Sequence, residues 1–173
     1  MKKLVIFGLA LFLVGGFVSM AAAEEAAAPP PPKPALVAGD AVPAWTSTDI
    51  IDGKTVSSDT LKGKKYALVF VNSSCAACRK ELGDLKARDF TGKLDVIIVS
   101  MDATPDRAKI IFKDKLKLPY AIVSDPDQII AGGVDLLYSP ASVIVDGSGK
   151  LEFRFGGYGA AVRDKVMAAF DKY

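Results

Sequence analysis

Two apolar runs constrain the fold of this 173-residue chain more strongly than any other feature. The first covers residues 66–71, the second covers residues 94–101, and an amphipathic helical pattern over residues 76–89 separates them. Strand-length runs this rich in aliphatic side chains are typical of strands buried on both faces of a sheet. Two such strands joined by a helix run parallel. The sequence therefore predicts an α/β domain around a central parallel pair.

Turn residues and apolar periodicity predict the other elements. In chain order they are a hairpin over residues 45–56 turning at Asp52 and Gly53, a helix from Pro105 (capped by Thr104) to about Leu116, a strand over residues 120–123, a helical turn over residues 128–131, strands over residues 141–146 and 150–155, and a helix over residues 160–172. The late hairpin predicts antiparallel strands at one side of the sheet. This order predicts a thioredoxin-like α/β fold: a mixed central sheet with helices on both faces and an N-terminal hairpin.

The first 38 residues have the pattern of an export segment followed by a linker. A basic start, an apolar stretch over residues 4–18 and small residues at 21–23 predict a signal peptide over residues 1–23. An uncleaved anchor is the alternative, because the apolar stretch approaches the roughly 20 residues that span a bilayer. Residues 24–38 are a predicted Ala/Pro-rich linker, and residues 39–173 are the domain. We expect a periplasmic or exported protein, tethered to the inner membrane if the N-terminal segment is retained.

Composition excludes several classes of function. The chain has no histidine, which excludes His-based metal sites, Ser-His-Asp triads and His-ligated haem. It carries 22 basic and 20 acidic side chains, so there is no basic field to predict a nucleic-acid partner. Contact with a membrane is expected only through a retained N-terminal segment.

The only two cysteines, Cys75 and Cys78, form a C-x-x-C where the first apolar run meets the first helix. A helix N-terminus stabilises a thiolate, so Cys75 is the predicted nucleophile and Cys78 resolves from one turn deeper. Two alternatives remain: a structural disulfide, which would add only about 2 kcal/mol, and a zinc site completed by carboxylates or a second copy. We expect no cofactor beyond this redox-active disulfide.

Two other positions are candidates for supporting roles. Glu81 shares a helical face with the cysteines and is predicted to raise the pKa of a thiol or to carry protons; the alternative is an ordinary solvated helix residue. Ser139 and Pro140 precede a strand. In a thioredoxin-like sheet a cis proline there packs beside the disulfide and offers backbone to a substrate strand. The alternative is a trans proline that merely begins a strand.

Taken together, these residues make residues 39–173 resemble the TlpA/ResA-like thioredoxin-family thiol–disulfide oxidoreductases, which are also grouped with the redoxin and AhpC/TSA proteins. The supporting motifs are Gly39-Asp40, Asp52-Gly53-Lys54, Leu61-Lys62-Gly63-Lys64, Cys-Ala-Ala-Cys-Arg-Lys-Glu at 75–81, Val99-Ser100-Met101-Asp102, and Pro140 followed by Val145-Asp146-Gly147. The resemblance implies a central insertion between Leu94 and Val123, and a role for Glu81 in tuning the site.

The sequence departs from these relatives at four positions. Ser74 stands where the family usually has an aromatic residue before the first cysteine, and Val69 stands where minimal thioredoxins keep a buried acid. Proton transfer must then use another group or water. Leu68 and Asn72 stand where peroxiredoxins carry Pro and Thr or Ser, which disfavours a peroxidase.

The leading hypothesis is an exported enzyme that exchanges protein disulfides in the reducing direction, with cytochrome c maturation as one setting. Its partners would be protein dithiols and disulfides and a membrane electron donor. The alternatives are a thiol peroxidase of the redoxin group and a non-catalytic binding module with a thioredoxin fold.

Overall fold

The structure is a computed structural model that describes residues 35–173. The predicted signal peptide or anchor (1–23) and most of the predicted linker (24–38) lie outside these residues. The described elements are β1 (Thr46–Thr48), β2 (Thr55–Ser57), β3 (Tyr66–Val71), α1 (Ala76–Lys86), β4 (Asp95–Ser100), α2 (Pro105–Ala108) continuing as a π-helix (Lys109–Lys115), β5 (Ala121–Ser124), α3 (Ile129–Gly133), β6 (Ala141–Val145), β7 (Leu151–Gly156) and α4 (Ala160–Phe170). No helix of residues 35–173 has the length and apolar character to cross a membrane.

The main sheet is mixed and has the strand order β5-β4-β3-β6-β7. Strand β4 pairs in parallel with β3 and with β5, whereas β6 is antiparallel to both β3 and β7. Strands β1 and β2 form a separate antiparallel hairpin. The predicted mixed sheet and N-terminal hairpin are therefore confirmed.

Alternating side chains of β3 feed two cores, one on each face of the sheet. Val69 and its alternate neighbours pack with α1, the π-helix and α4, and we call this side the α1 face. Phe70 and its alternate neighbours pack with α3 and with Trp45 beside the hairpin, and we call this side the α3 face. The predicted placement of helices on both faces is confirmed, and it follows from β3 being buried along its whole length.

Two helices differ from their predicted form. Helix α1 ends at Lys86, because the Asp89 carboxylate accepts the Thr91 N–H at 3.0 Å in a turn that brings Phe90 into the core. The predicted helix from Pro105 has only four α-helical residues before it widens into the π-helix. Thr104 is the N-cap and Pro105 is the first helical residue, as predicted, although the Thr104 side chain makes no capping hydrogen bond within the described chain.

Candidate functional site

The turn between β3 and α1 places the first cysteine at the start of the helix. The Asn72 carbonyl accepts the Cys75 N–H at 3.0 Å, and the Asn72 side-chain oxygen accepts the Ser74 N–H at 3.0 Å. Cys75 is the N-cap of α1 and has an extended backbone (φ −78°, ψ 116°). A tight turn therefore delivers the sulfur of Cys75 to the N-terminus of α1, as the sequence predicts.

The two cysteines are bonded to each other in the structure, with Cα atoms 5.2 Å apart. The Cys75 Sγ accepts the backbone N–H of Cys78 at 3.1 Å. Cys75 is half-buried and Cys78 is fully buried. This hydrogen bond from the Cys78 N–H and the positive end of the helix dipole both favour a thiolate on Cys75 when the pair is reduced. The arrangement suits one attacking sulfur and one inner, resolving sulfur.

A buried carboxylate, which the sequence places in a motif without assigning it a role, fixes this turn to β4. Asp102, 5% exposed, accepts the Ser73 N–H at 3.0 Å, the Ser73 hydroxyl at 2.6 Å and the Ser100 hydroxyl at 2.8 Å. Arg79 donates to the Ser73 carbonyl at 2.9 Å from the next turn of α1. The role of Asp102 could have been inferred from its position just beyond β4, because the neighbouring parallel strands β3 and β4 end at the same edge of the sheet.

Glu81 is buried beneath the helix, with 1% of its surface exposed, so the solvated alternative is wrong. Its Oε1 accepts the Ser142 hydroxyl at 2.5 Å, and its Oε2 is buried with no hydrogen-bond partner among residues 35–173. Burial raises the pKa of Glu81 to about 7, the Ser142 hydrogen bond opposes this effect, and the charge of Asp84 adds to it. Ser142 is the register partner of Val69, the strand position at which minimal thioredoxins keep a buried acid. The buried carboxyl of Glu81 therefore lies close to the place where that acid is missing.

The Ser139–Pro140 peptide bond is cis. Pro140 is buried and Ser139 is half-exposed. The next residue, Ala141, pairs with Phe70 near the end of β3, so the proline lies at the sheet edge from which the cysteine turn departs. The Pro140 carbonyl accepts the Gly157 N–H at 2.7 Å, which ties this loop to the end of β7.

A second polar cluster, also missed from the sequence, joins α1 to α4. The Asp84 carboxylate accepts from Arg163 Nε at 2.8 Å, from Arg163 Nη2 at 3.0 Å and from the Tyr158 hydroxyl at 2.6 Å. These interactions, the Arg163 hydrogen bond first, lower the pKa of Asp84 to about 2. Tyr158 and Arg163 lie 74 and 79 residues away along the chain, and no sequence pattern links such distant positions.

The structure therefore brings Cys75, Cys78 and Glu81 together on α1 and places Pro140 at the same edge of the sheet. Within the described part of the chain, no group of three or more Cys, Asp or Glu side chains is placed to hold a metal ion.

Comparison with known proteins adds relatives to this geometry. Residues 38–154 match the AhpC/TSA family. The thiol–disulfide oxidoreductase ResA of Bacillus thuringiensis (strain Al Hakam) is 28% identical over 122 residues, which cover 69% of this chain and 69% of that protein. The resemblance inferred from the motifs is confirmed.

Solved structures share the fold. The thioredoxin domain of a thiol–disulfide oxidoreductase from Bacteroides vulgatus matches with a TM-score of 0.62 at 24% identity, covering 78% of this chain and 98% of that chain. A secreted disulfide oxidoreductase of Mycobacterium tuberculosis, homologous to DsbE of E. coli, matches with a TM-score of 0.64 at 19% identity, covering 75% and 96%. The predicted thioredoxin-like fold is confirmed.

Proposed function

This chain belongs to the AhpC/TSA family and is a thiol–disulfide oxidoreductase, and from that premise we propose that it is exported and reduces protein disulfides. The observation that carries the proposal is the difference between its two sulfurs. Cys75 is accessible at a helix N-terminus with an N–H donor on its Sγ, and Cys78 is buried one turn deeper. The secreted Mycobacterium tuberculosis structure and the predicted signal peptide or anchor support export.

In the first step, the Cys75 thiolate attacks one sulfur of a client disulfide. The client S–S bond breaks, a mixed disulfide forms between the client and Cys75, and the other client sulfur leaves as a thiolate that takes a proton from water. The helix N-terminus favours this step because it stabilises the attacking thiolate. The backbone at Ser139 and Pro140 would hold an extended client segment beside the cysteine pair.

In the second step, Cys78 loses its proton and attacks the Sγ of Cys75. The mixed disulfide breaks, the second client sulfur leaves, and the Cys75–Cys78 disulfide forms, so two electrons have passed to the client. Glu81 lies one turn from Cys78 on the same buried face of α1. With its pKa raised to about 7 by burial, its carboxylate is suited to accept the Cys78 proton near neutral pH.

No cofactor other than the cysteine pair takes part in these two steps. A dithiol donor must reduce the pair again after each turnover, and we place that donor at the membrane. Cytochrome c maturation is one setting that requires such a reductant, and the identity of a trapped client would decide it.

Trapping tests the proposal directly. Cys78→Ser should accumulate a mixed disulfide between Cys75 and client proteins, because the resolving sulfur is gone. Cys75→Ser should reduce insulin disulfides no faster than buffered dithiothreitol alone. Mass spectrometry of the trapped adduct identifies both the bonded cysteine and the client.

Three results would contradict parts of this proposal. Full insulin reduction by Cys75→Ser would remove the nucleophile assignment. A reduction potential near the roughly −120 mV of strong oxidants would reverse the direction of electron flow. Rapid consumption of H2O2 with a sulfenic acid on Cys75 would instead support a peroxidase of the redoxin group.

A further inference from the structure

Asp84 lies one helical turn beyond Glu81 on α1, so the two carboxyl groups project from adjacent turns on the same side of the helix. Asp84 is ionised throughout the pH range in which Glu81 titrates, because Arg163 and Tyr158 hold its pKa near 2. A fixed negative charge beside a buried carboxyl opposes the ionisation of that carboxyl.

The negative charge of Asp84 is partly offset by groups on α4 and on the segment that precedes it. Arg163 on α4 contacts both carboxylate oxygens of Asp84, and Tyr158, 5% exposed, donates its hydroxyl to one of them. The electrostatic potential at Glu81 is therefore the sum of a negative contribution from Asp84 and positive contributions from its partners. We propose that Asp84, Tyr158 and Arg163 are positioning residues that set the pH range of disulfide exchange through Glu81. This inference rests on the proposed function for its link to catalysis.

Other elements around Glu81 bring few competing charges. On its side of α1, Glu81 has Asp84 as an ionised neighbour and Cys78, which titrates only when the pair is reduced. Just beyond α1, Arg88 donates to the Asp84 backbone carbonyl at 2.7 Å and adds a positive charge near Asp84. The segment between β7 and α4 contributes Tyr158, and α4 contributes Arg163 through Asp84. Strands β3 and β6 present Val69 and Ser142, neither of which carries a charge at neutral pH.

A purely structural role offers the main alternative. The cluster joins α1 to α4, and a second ion pair, Arg88 with Asp171 at the C-terminal end of α4, joins the same two parts of the chain. If both pairs only hold the helices together, neutralising either one should lower stability and leave Glu81 unaffected.

The charge-balance role makes predictions of opposite sign. Asp84→Asn removes the negative charge and leaves Arg163, so the carboxyl of Glu81 should titrate at lower pH. Arg163→Gln leaves Asp84 unbalanced, so Glu81 should titrate at higher pH. Because Asp84 and Arg163 are partly exposed and salt screens them, each shift should be on the order of half a pH unit. The double variant should return towards the wild type.

The measurement is a ¹³C NMR titration of the side-chain carboxyl of Glu81 in the oxidised protein, with Glu81→Gln identifying the signal. The pH profile of insulin reduction is recorded for the same variants and should move in parallel with the titration. Asp171→Asn is the matched control: it breaks the second ion pair and leaves the Asp84–Arg163 contact in place. Because Arg88 also donates to the Asp84 backbone carbonyl at 2.7 Å, the titration should move less in this variant than in Asp84→Asn or Arg163→Gln.

Opposite shifts in the two single variants, with recovery in the double variant, support the inference. Shifts of the same sign, or shifts no larger than that of Asp171→Asn, overturn it. If the wild type reduces no disulfide at all, the proposed function fails, whereas the NMR titration still decides whether the network controls Glu81.

Discussion

Glu81 makes the stability of the oxidised protein depend on pH. A pKa of about 7 in the folded protein, against an ordinary value of 4.5, means that folding favours the protonated carboxyl by about 3 kcal/mol. This contribution is fully present below pH 4.5, declines as pH rises, and is lost above pH 7. The cause is burial of Glu81 with one oxygen unpartnered among the described residues.

We therefore expect Glu81→Gln to remove this pH dependence. The Gln side chain can still accept a hydrogen bond from the Ser142 hydroxyl, but it cannot ionise. The free energy of unfolding of the variant should therefore stay level between pH 4.5 and pH 7, whereas that of the wild type falls by about 3 kcal/mol. Urea unfolding of both oxidised proteins across this range measures the difference. Identical pH profiles would show that Glu81 ionises freely in the fold.

At this scale the sequence predicted the residues on α1 and missed their partners. Cys75, Cys78 and Glu81 share a helical face by spacing alone. Ser142 is 61 residues from Glu81, and Arg163 is 79 residues from Asp84, so their meeting depends on how β6 and α4 pack against α1. Local periodicity carries no information about such contacts.

Between elements, Asp102 joins the turn before α1 to the end of β4. Its carboxylate satisfies the Ser73 N–H and two hydroxyl groups, all in a buried position. A backbone N–H left unsatisfied in such a place costs about 1–3 kcal/mol. The turn that presents Cys75 is therefore held by a neighbouring strand as well as by its own helix.

We expect Asp102→Ala to lower the free energy of unfolding by about 3 kcal/mol, because it leaves the Ser73 N–H and both hydroxyl groups unpaired. Asp102→Asn keeps an acceptor oxygen and should lose less. Ser100→Ala removes a single hydrogen bond and should cost about 1 kcal/mol. Urea unfolding of the three variants ranks them, and an Asp102→Ala protein as stable as the wild type would show that Asp102 does not hold the turn.

Element boundaries were less predictable than element types. Every predicted strand forms, because continuous or alternating apolar residues identify buried strands wherever they pair. Helix α1 stops early because of one side-chain turn at Asp89, and the π-helix depends on an Ile111 carbonyl that accepts from Leu116. Single hydrogen bonds of this kind decide where a helix ends, and hydrophobic patterning does not resolve them.

At the scale of the whole domain, β3 separates two cores that share no helix within residues 35–173. Phe112 is fully buried on the α1 face, whereas Trp45, the only tryptophan of the sequence, is buried on the α3 face. Since both cores pack on the same strands, neither has a complete partner surface without the other. The sheet should make them unfold together.

Phe112→Ala tests this coupling. Removing its ring should cost about 3–5 kcal/mol, and the loss should appear equally in Trp45 fluorescence, on the opposite face, and in far-UV circular dichroism. Ile110→Ala, at a half-exposed position nearby, is the control and should cost less than 1 kcal/mol. Separate transitions for the two signals would mean that the faces unfold independently.

The unequal exposure of the two sulfurs also determines which of them can react with another protein. Cys75 is half-buried and keeps part of its surface accessible, whereas Cys78 is fully buried, so only the Cys75 sulfur can be reached by another protein. In the reaction proposed above, the electron donor and the client would therefore react with the same sulfur in turn, and the two could not be bonded to it at the same time. One sulfur then carries out both exchange reactions of the proposed cycle, and the slower of the two reactions limits the overall rate.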